Sequence, residues 1–443
     1  MSAVAEPQRT RRARPAGREL LESPLSATWR PTIRERAVLV GVGPGIVPGD
    51  LEELAALADS AGAEPVSRVV QNRREPDPAT FIGRGKLDEL HHEVHARRAE
   101  SVILDQELTP GQLRNLEERL GVKVIDRTAL ILDIFALHAR SREGKAQVEL
   151  AQLNYLLPRL RGWGEAMSRL GGGIGTRGPG ETKMEVDRQH IRRRIAKLRR
   201  DIEDLGRTRD LKRERRQESE IPQVAIAGYT NAGKSTLMKR LTGADVIVAD
   251  QLFATLDPTT RRIDLPGRRR AVLSDTVGFV SKLPHDLVEA FRSTLEEVTL
   301  ADLIVHVADA TSPAVDDEVD AVRRVLGEIG AGRIPEILVL NKIDRVPGSA
   351  RARLARRFPG SVQLSALTGE GAESVLETLS ERLPHPPVEV SLLVPFGRED
   401  VTARLYREAE VLSTRTDTVG TIVHARVGLR LLSAVREFLQ DEG

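Results

Sequence analysis

A glycine-rich run, Gly228-Tyr-Thr-Asn-Ala-Gly-Lys-Ser235, constrains the fold of this chain more than any other feature. The apolar residues 224–227 before it predict a buried strand, and residues 235–241 after it predict the first turns of a helix. In a strand–loop–helix unit of this kind, backbone N–H groups cradle the oxygens of a di- or triphosphate. We therefore predict a phosphate-binding loop in which Lys234 reaches the β- and γ-phosphates and the Ser235 hydroxyl holds Mg²⁺.

The composition limits the class of protein. A chain of 443 residues is long enough for two to four domains, and the absence of cysteine excludes disulfides, thiolate catalysis and cysteine-based zinc sites. No segment holds about 18 uninterrupted apolar residues, so we expect no stable membrane insertion. We expect a cytoplasmic monomer and leave peripheral membrane association open. The net charge is only +2, but the arginine-rich stretches 9–18, 188–216 and 261–270 predict either basic surfaces for phosphate backbones or solvated helix faces.

The pattern along the chain predicts a multidomain α/β protein in five parts. They are a disordered basic tail (1–35), an N-terminal α/β domain (36–143), a long antiparallel helical hairpin (144–220), a P-loop nucleotide-binding domain with a mixed, mostly parallel sheet (221–384) and a small α+β module (385–443). The strand-like runs of the second part are 37–42, 66–70, 101–104 and 122–125, and those of the last part are 390–395, 405–412 and 421–427.

Two helix-like segments flank a glycine-rich loop in the predicted hairpin. Residues 145–160 are amphipathic, and a second helix is expected from about 185 to 216. Its apolar residues repeat as a heptad seam at Ile191, Ile195, Leu198, Ile202 and Leu205. The loop 161–183 between them contains eight glycines and several cationic residues. Long loops of this kind are usually functional or disordered, and we interpret this one as a flexible cationic tip that fits an RNA backbone.

Two segments complete the phosphate end of the predicted site. Asp275-Thr-Val-Gly278 follows a predicted strand, so the carboxylate fits an outer-sphere Mg²⁺ contact and the final N–H fits the γ-phosphate. Phe253-Ala-Thr-Leu-Asp257 lies between this segment and the glycine-rich run. Thr255 would bind Mg²⁺ through its hydroxyl only when the γ-phosphate is present, with Thr259 and Thr260 as competing candidates.

Two further segments predict which base is bound. Asn341-Lys-Ile-Asp344 follows a predicted strand, and the Asp344 carboxylate can accept hydrogen bonds from both N1–H and the 2-amino group of guanine. Adenine has the wrong donor and acceptor pattern. Ser365-Ala366 follows another strand-like run, and we expect the Ala366 N–H to contact guanine O6. The five segments in this order predict a GTP-binding domain.

The predicted site can be stated residue by residue. Its nucleotide-binding residues are Gly228, Tyr229, Thr230, Asn231, Ala232, Gly233, Lys234, Ser235, Phe253, Ala254, Thr255, Leu256, Asp257, Asp275, Thr276, Val277, Gly278, Asn341, Lys342, Ile343, Asp344, Ser365, Ala366 and Leu367. The predicted catalytic residues are Lys234, Gly278 and Asn231, and the predicted metal ligands are Ser235 and Thr255. The cofactors are GTP or GDP and Mg²⁺, with K⁺ as an additional candidate.

Phe279 follows Gly278, where Ras-like proteins carry the glutamine that orients the attacking water. A phenyl ring neither donates nor accepts a hydrogen bond, so we expect slow intrinsic hydrolysis until a partner or a rearrangement positions water. Alternatively, Phe279 is a core residue and another side chain, such as His285, supplies the contact. Asn231 occupies the position at which some such GTPases coordinate potassium, which predicts modest potassium stimulation.

The chain resembles the HflX family of translational GTPases from about residue 37 to the C-terminus. The resemblance rests on Phe81-Ile-Gly-Arg-Gly-Lys86, Gly171-Gly-Gly-Ile-Gly-Thr-Arg-Gly-Pro-Gly-Glu-Thr-Lys183, Gly228-Tyr-Thr-Asn-Ala-Gly-Lys-Ser235, Phe253-Ala-Thr-Leu-Asp-Pro-Thr259 and Asp275-Thr-Val-Gly-Phe279. It implies a ribosome-stimulated GTPase that binds the 50S large subunit and splits stalled or idle 70S ribosomes, notably under stress. It also implies that the tip loop 161–183 reaches the rRNA near the peptidyl-transferase region.

Two other functions stay open at this point. The resemblance links the N-terminal domain to ATP binding, and residues 81–86 offer two glycines and a lysine before a helix, although a plain tight turn explains them as well. An ATP-assisted RNA-remodelling factor is therefore one alternative. The other is a signalling-type GTPase switch whose hairpin docks a protein helix.

Overall fold

The computed structural model describes residues 34–160, 179–217, 221–243, 252–253, 259–266, 269–276, 278–280, 287, 297–386 and 388–440, with side chains of the helix at 179–217 described over 186–207. The chain divides into two compact units, Met1–Leu130 and Ile131–Gly443. The expected tail and most of the expected tip loop lie outside the described residues, and the five-part division stays a prediction.

The first unit is built on four parallel strands connected through helices. The strands are β1 (Glu35–Gly43), β2 (Ala63–Asn72), β3 (Ser101–Leu104) and β4 (Lys123–Asp126), and the helices are α1 (Glu52–Ser60), α2 (Arg84–Arg97), α3 (Pro110–Leu120) and α4 (Arg127–His138), which continues past the unit boundary. The strand order is β2–β1–β3–β4, and all three pairings are parallel. Val38, Val102 and Leu104 are fully buried because helices cover a parallel sheet of this kind. The predicted small parallel sheet is confirmed.

The glycine-containing turn before α2 has the contacts of a structural turn. Phe81 is buried with a φ of 62°. The Gly83 N–H donates to Gln71 Oε1 at 3.0 Å, and the Lys86 ammonium pairs with Glu89 at 2.7 Å. The N–H and the cation that were candidates for a phosphate are thus both engaged within the fold. These contacts favour the tight-turn interpretation of residues 81–86.

The second unit begins with a pair of long helices, α5 (Arg142–Arg159) and α6 (Pro179–Gln217). Ile191, Ile195 and Leu198 are buried, as the heptad seam predicts, and the Arg194 Nε donates to Glu149 Oε1 at 2.6 Å. The prediction that α6 begins near residue 185 was wrong, because the helix begins at Pro179. A proline is favoured in the first turn of a helix, since its missing N–H has no intrahelical partner there.

No helix within the described ranges is long and apolar enough to cross a membrane.

The nucleotide-binding part of the second unit contains a six-stranded sheet in the order β10–β9–β8–β5–β7–β6. Its strands are β5 (Gln223–Gly228), β6 (Thr259–Leu265), β7 (Arg269–Asp275), β8 (Leu303–Asp309), β9 (Glu336–Asn341) and β10 (Val362–Gln363), and its helices are α7 (Lys234–Thr242), α8 (Val315–Glu328), α9 (Gly348–Arg357) and α10 (Ala372–Arg382). Every pairing is parallel except that of β6 with β7. The predicted mixed, mostly parallel sheet is confirmed, and the carboxyl ends of its central strands carry the candidate site.

The last part of the chain is a three-stranded antiparallel sheet with helices. Its elements are β11 (Val388–Pro395), α11 (Glu399–Glu408), β12 (Glu410–Thr416), β13 (Gly420–Val427) and α12 (Leu429–Val435), and the strand order is β11–β13–β12. The prediction of a strand at 405–412 was wrong in its first half. Val401 and Leu405 lie one helical turn apart and are both buried, so this segment continues α11 to Glu408.

Arg269 at the start of β7 joins the nucleotide-binding sheet to the C-terminal module. Its guanidinium donates to the carbonyl oxygens of Ser380, Leu383 and Pro384, and it lies 3.6 Å from the Glu410 carboxylate. Burial lowers the pKa of Arg269, and the Glu410 carboxylate opposes this shift. Because both side chains are almost fully buried, this pair fixes the C-terminal module against β7.

Candidate nucleotide-binding and hydrolysis site

The loop after β5 has a backbone that only glycine fits at two positions. A Cβ on Gly228, whose φ is +154°, would lie 2.2 Å from the Val307 carbonyl oxygen on β8. A Cβ on Gly233, whose φ is +95°, would lie 2.3 Å from Asn341 Nδ2. Asn231 also has a positive φ, of 59°. The loop therefore packs directly on β8 and on the end of β9, which leaves its N–H groups to form the start of α7.

Lys234 is the first residue of α7 and is only 7% exposed. Its Nζ donates to the carbonyl oxygens of Gly228 at 3.0 Å and Tyr229 at 2.7 Å, so the side chain lies across the loop. Burial lowers the pKa of Lys234 to about 8, although the Asp275 carboxylate acts in the opposite direction. A phosphate would replace these carbonyl partners, and its negative charge would favour the protonated form of Lys234.

Ser235 and Asp275 supply hard oxygen atoms beside this lysine. The Ser235 hydroxyl donates to Asp275 Oδ2 at 2.9 Å, and Asp275 is fully buried at the end of β7. The next residue, Thr276, is fixed by a hydrogen bond from its hydroxyl to the Ile226 carbonyl oxygen at 2.7 Å. Hydroxyl and carboxylate oxygens are the ligands that Mg²⁺ prefers, so the residues present fit this ion.

The segment after β7 is tied to the phosphate-binding loop. The Thr230 N–H donates to the Phe279 carbonyl oxygen at 2.7 Å, and the Phe279 N–H donates to the Gly228 carbonyl oxygen at 3.1 Å. A Cβ on Gly278 would lie 3.1 Å from Lys234 Nζ. Gly278 and Lys234 therefore meet where a γ-phosphate is expected. The Phe279 side chain is 1% exposed and belongs to the core cluster of this sheet, which favours its interpretation as a core residue.

Two threonine hydroxyls in this region have no hydrogen-bond partner within the described part of the chain. Thr230 is 7% exposed, its Oγ1 is buried, and its Cγ2 would lie 2.8 Å from a Cβ on Gly278. Thr259 begins β6 directly opposite Asp275 in the antiparallel register, and its Oγ1 is also buried. Buried hydroxyls without partners carry a desolvation cost, so both are candidates for contact with a ligand. Sequence reasoning gave no sign that Thr230 would be buried and unsatisfied.

Asn341 connects the phosphate and base ends of the site. Its Nδ2 donates to the Ala232 carbonyl oxygen at 2.8 Å, and its Oδ1 accepts from the Ala366 N–H at 2.9 Å. The N–H predicted to face guanine O6 thus donates to Asn341 in this structure. Asn341 is 2% exposed and Ala366 is 3% exposed, so a side chain at the end of β9 fixes both loops.

The other residues of the Asn341–Asp344 segment divide between the core and the surface. Ile343 is buried, whereas the Asp344 carboxylate is exposed in a short 3₁₀ turn. Lys342 has a φ of 64° and its Nζ lies 2.7 Å from Asp309 Oδ2, at the end of β8. Leu367, on the neighbouring loop, is 72% exposed. An accessible carboxylate at this end of the site can accept hydrogen bonds from a base.

The switch segment predicted to contain a metal ligand is only partly described. Ala254, Thr255, Leu256, Asp257, Val277 and His285 lie outside the described residues. Phe253 is 2% exposed, has a φ of 58°, and packs edge-to-face on Phe135 with ring centroids 4.7 Å apart. Its side chain therefore has a packing role on α4.

Sequence reasoning missed Arg240, near the C-terminal end of α7. Its Nε donates to the Ala366 carbonyl oxygen at 3.1 Å, and its Nη2 donates to the Leu367 carbonyl oxygen. No sequence pattern predicts this contact, because Ala366 and Leu367 lie 126 and 127 positions after Arg240 in the chain.

Comparison with known families covers three successive parts of the chain. Residues 49–136 match the model of the GTP-binding GTPase N-terminal domain, and residues 138–216 match that of the GTP-binding GTPase middle region. Residues 223–342, which contain most of the site described above, match the model described as 50S ribosome-binding GTPase.

Curated relatives extend this likeness to nearly the whole chain. The GTPase HflX of Caldanaerobacter subterraneus subsp. tengcongensis is 49% identical, covering 92% of this chain and 94% of the relative. The GTPase HflX of Escherichia coli is 46% identical, covering 81% and 84%. A solved GTP-binding protein from Sulfolobus solfataricus in complex with GDP is 26% identical over 78% of this chain and 98% of that chain, with a TM-score of 0.42. The chain therefore belongs to the HflX GTPase family, and its P-loop domain makes it a guanine-nucleotide-binding GTP hydrolase.

Proposed function

We propose that the protein is a GTP-gated factor that binds the 50S large ribosomal subunit and splits or rescues 70S ribosomes, with hydrolysis resetting the factor. The match of residues 223–342 to a model of 50S ribosome-binding GTPases carries the proposal. The site geometry supports it, since the phosphate and metal candidates lie within these residues and the base candidates Asp344 and Ala366 follow them in the chain. A ribosomal partner places this function in the cytoplasm.

The surface of α6 supports an RNA partner. The buried side chains of α6 include those of Ile191, Ile195 and Leu198, and the side chains between them are exposed. The exposed cations include Arg192, Arg193, Lys197 and Arg199. Cations on one exposed helix neutralise phosphates and release their counterions, which makes binding dependent on salt. We propose that this surface and the tip loop 161–183 contact rRNA near the peptidyl-transferase region.

GTP gating would act through the contact of Gly278 with the phosphate-binding loop. A γ-phosphate at Lys234 would contact the Gly278 N–H, and hydrolysis would remove this contact. The hydrogen bonds between Phe279 and the loop transmit a change at Gly278 into the chain that follows. Such ordering and release of a switch segment changes affinity for a partner.

Ser235 and Asp275 are the described residues that would hold Mg²⁺, the first directly and the second through water. A bound magnesium ion supplies charge neutralisation on the phosphates. Thr255 is the proposed third protein group, and Thr259, opposite Asp275 in the sheet, stays a competing candidate. K⁺ at Asn231 is proposed as an additional cation.

Slow intrinsic hydrolysis follows from the position of Phe279 in the core. Its ring, which belongs to the core cluster of the sheet, cannot orient water. We propose that the Thr230 hydroxyl helps to orient the attacking water, because it is buried with no partner in the described fold and the Cγ2 atom of the same residue faces Gly278. The ribosome would complete the arrangement.

A GTPase assay with and without 50S subunits tests the proposed function. We expect stimulation by 50S subunits, co-sedimentation in the GTP state, and loss of both when residues 161–183 are deleted. The paired charge reversal Arg192→Glu and Arg193→Glu should weaken binding most at low salt. The same reversal at the exposed Arg353 and Arg356 of α9 is the matched control. Unchanged binding and splitting after loop deletion would contradict the proposed role of the hairpin.

An ATP-dependent activity of the first unit finds no support in the contacts of residues 81–86. Lys86 and the Gly83 N–H are engaged by Glu89 and Gln71, respectively. ATP-driven RNA unwinding that survives Lys234→Ala would nevertheless establish that activity.

A further inference from the structure

We propose that Arg240 is a positioning residue for guanine recognition, which links the helix of the phosphate-binding loop to the loop that reads the base. The inference rests on the proposal that the Ala366 N–H, which donates to Asn341 Oδ1 in this structure, donates to guanine O6 when the base is bound. Arg240 lies on α7, whose first residue is Lys234. Its guanidinium donates to the carbonyl oxygens of Ala366, at 3.1 Å, and of Leu367.

The base-reading loop is held from two opposite sides. On one side Asn341 Oδ1 accepts from the Ala366 N–H at 2.9 Å. On the other side Arg240 donates to the carbonyl groups of the same residue and of the next. The loop also closes on itself, since the Gly369 N–H donates to the Ser365 carbonyl oxygen at 2.8 Å.

Gly369 shows how closely the guanidinium fits this loop. Its φ is +93°, and an added Cβ would lie 3.4 Å from Arg240 Nη1. Charged donors form stronger hydrogen bonds to carbonyl groups than neutral donors do. Two such bonds restrict the rotation of the Ala366 and Leu367 peptide groups and thereby hold the neighbouring Ala366 N–H in register.

Arg240 itself need not touch the nucleotide, so its effect should depend on which group of the base is read. Guanine and hypoxanthine both carry O6, whereas 2-aminopurine lacks it and keeps the 2-amino group. Removal of Arg240 should weaken binding of nucleotides that carry O6 and spare the analogue that lacks it. General damage to the site would weaken all three.

The experiment compares Arg240→Ala with wild type and with Arg353→Ala, which removes the same charge from an exposed position on α9. Dissociation constants are measured for GDP, inosine diphosphate and 2-aminopurine riboside diphosphate. For Arg240→Ala we expect losses of about fivefold to tenfold with the first two nucleotides, and less than about twofold with the third. Arg240→Lys, which keeps one donor, should fall between, and Arg353→Ala should match wild type.

The outcomes separate this role from the proposals on which it depends. Equal losses for all three nucleotides, or no loss for any, would overturn the positioning role of Arg240 alone. Wild-type protein that binds GDP and the 2-aminopurine analogue equally would overturn the O6 contact and this role with it. Thermal melting of the nucleotide-free variants shows whether each is folded. None of these results depends on ribosome binding, which the 50S assay tests separately.

Discussion

The Ser235 hydroxyl donates a hydrogen bond to the buried Asp275 carboxylate at 2.9 Å. This contact joins the first turn of α7 to the end of β7, two elements separated by 40 residues. It holds a hydroxyl beside a carboxylate oxygen at the proposed Mg²⁺ position. The phosphate end of the site is therefore pre-organised by the sheet.

Ser235→Ala removes the proposed Mg²⁺ ligand, whereas Ser235→Thr keeps the hydroxyl. We expect Ser235→Ala to lower GTP turnover by about a hundredfold at limiting Mg²⁺, since loss of a metal ligand affects several kcal/mol of charge stabilisation. Steady-state rates across a magnesium titration measure this effect. Equal magnesium dependence in all three proteins would show that the hydroxyl does not hold the ion.

Lys234 should make both stability and binding depend on pH. Its pKa is lowered from 10.5 to about 8 by burial. Between these two pH values Lys234 holds a proton in the unfolded chain that it has lost in the nucleotide-free folded protein. The contribution of Lys234 to the free energy of unfolding therefore rises with pH. GDP affinity should fall above pH 8, because binding then requires proton uptake.

Denaturant titrations from pH 7 to pH 10 measure the rise in stability. GDP titrations over the same range measure the fall in affinity, which should be at most about tenfold per pH unit. Lys234→Met removes the titrating group, so its stability should lose this component of the pH dependence. Lys234→Ala should abolish triphosphate binding. A wild-type GDP affinity that stays constant to pH 10 would contradict the lowered pKa.

Thr230→Val keeps the side-chain shape and removes the hydroxyl. We expect kcat for GTP to fall by about tenfold, which corresponds to the loss of one hydrogen bond to the reacting water. The nucleotide-free protein should be as stable as wild type or more so, because a buried hydroxyl without a partner is removed. Thr230→Ser is the matched control. A fall in stability with unchanged kcat would assign Thr230 a packing role instead.

The position of Asn231 in the phosphate-binding loop predicts that potassium modestly stimulates GTP hydrolysis. Its exposed side chain and positive φ leave the amide free of the core. Single-turnover rates should be higher in potassium than in sodium, by well under the roughly 10³-fold effect of an arginine finger. Asn231→Ala should remove the difference. Equal rates in the two salts with wild-type protein would exclude a potassium site.

Asp344→Asn should change the preferred base. The carboxylate is proposed to accept from the 2-amino group of guanine, whereas xanthine has a carbonyl at that position and needs a donor. We expect the ratio of GTP to xanthosine triphosphate affinity to fall by at least about a hundredfold, since two charge-assisted hydrogen bonds are lost. Competition binding measures the ratio. An unchanged ratio would mean that another residue reads the base.

Much of the fold follows from short-range patterns. The parallel strands of the first unit and β5, β7 and β9 were predicted because buried apolar runs precede turn residues. The failures were local. Residues 405–408 continue α11, since Leu405 completes a helical turn with the buried Val401, and α6 begins at Pro179. In both cases a helix extends through residues whose pattern fitted more than one structure.

The sequence by itself determined the presence of a phosphate-binding loop, the choice of guanine and the order of the motifs along the chain, because each motif is local. Only the tertiary structure decided how these motifs become one site. Asn341 joins the two ends of the site, and Arg240 braces the base loop from α7. The Phe279 side chain is packed in the core, and the Thr230 hydroxyl is buried without a partner in the described fold. Such contacts depend on the distance between chain segments in space, which no single segment encodes.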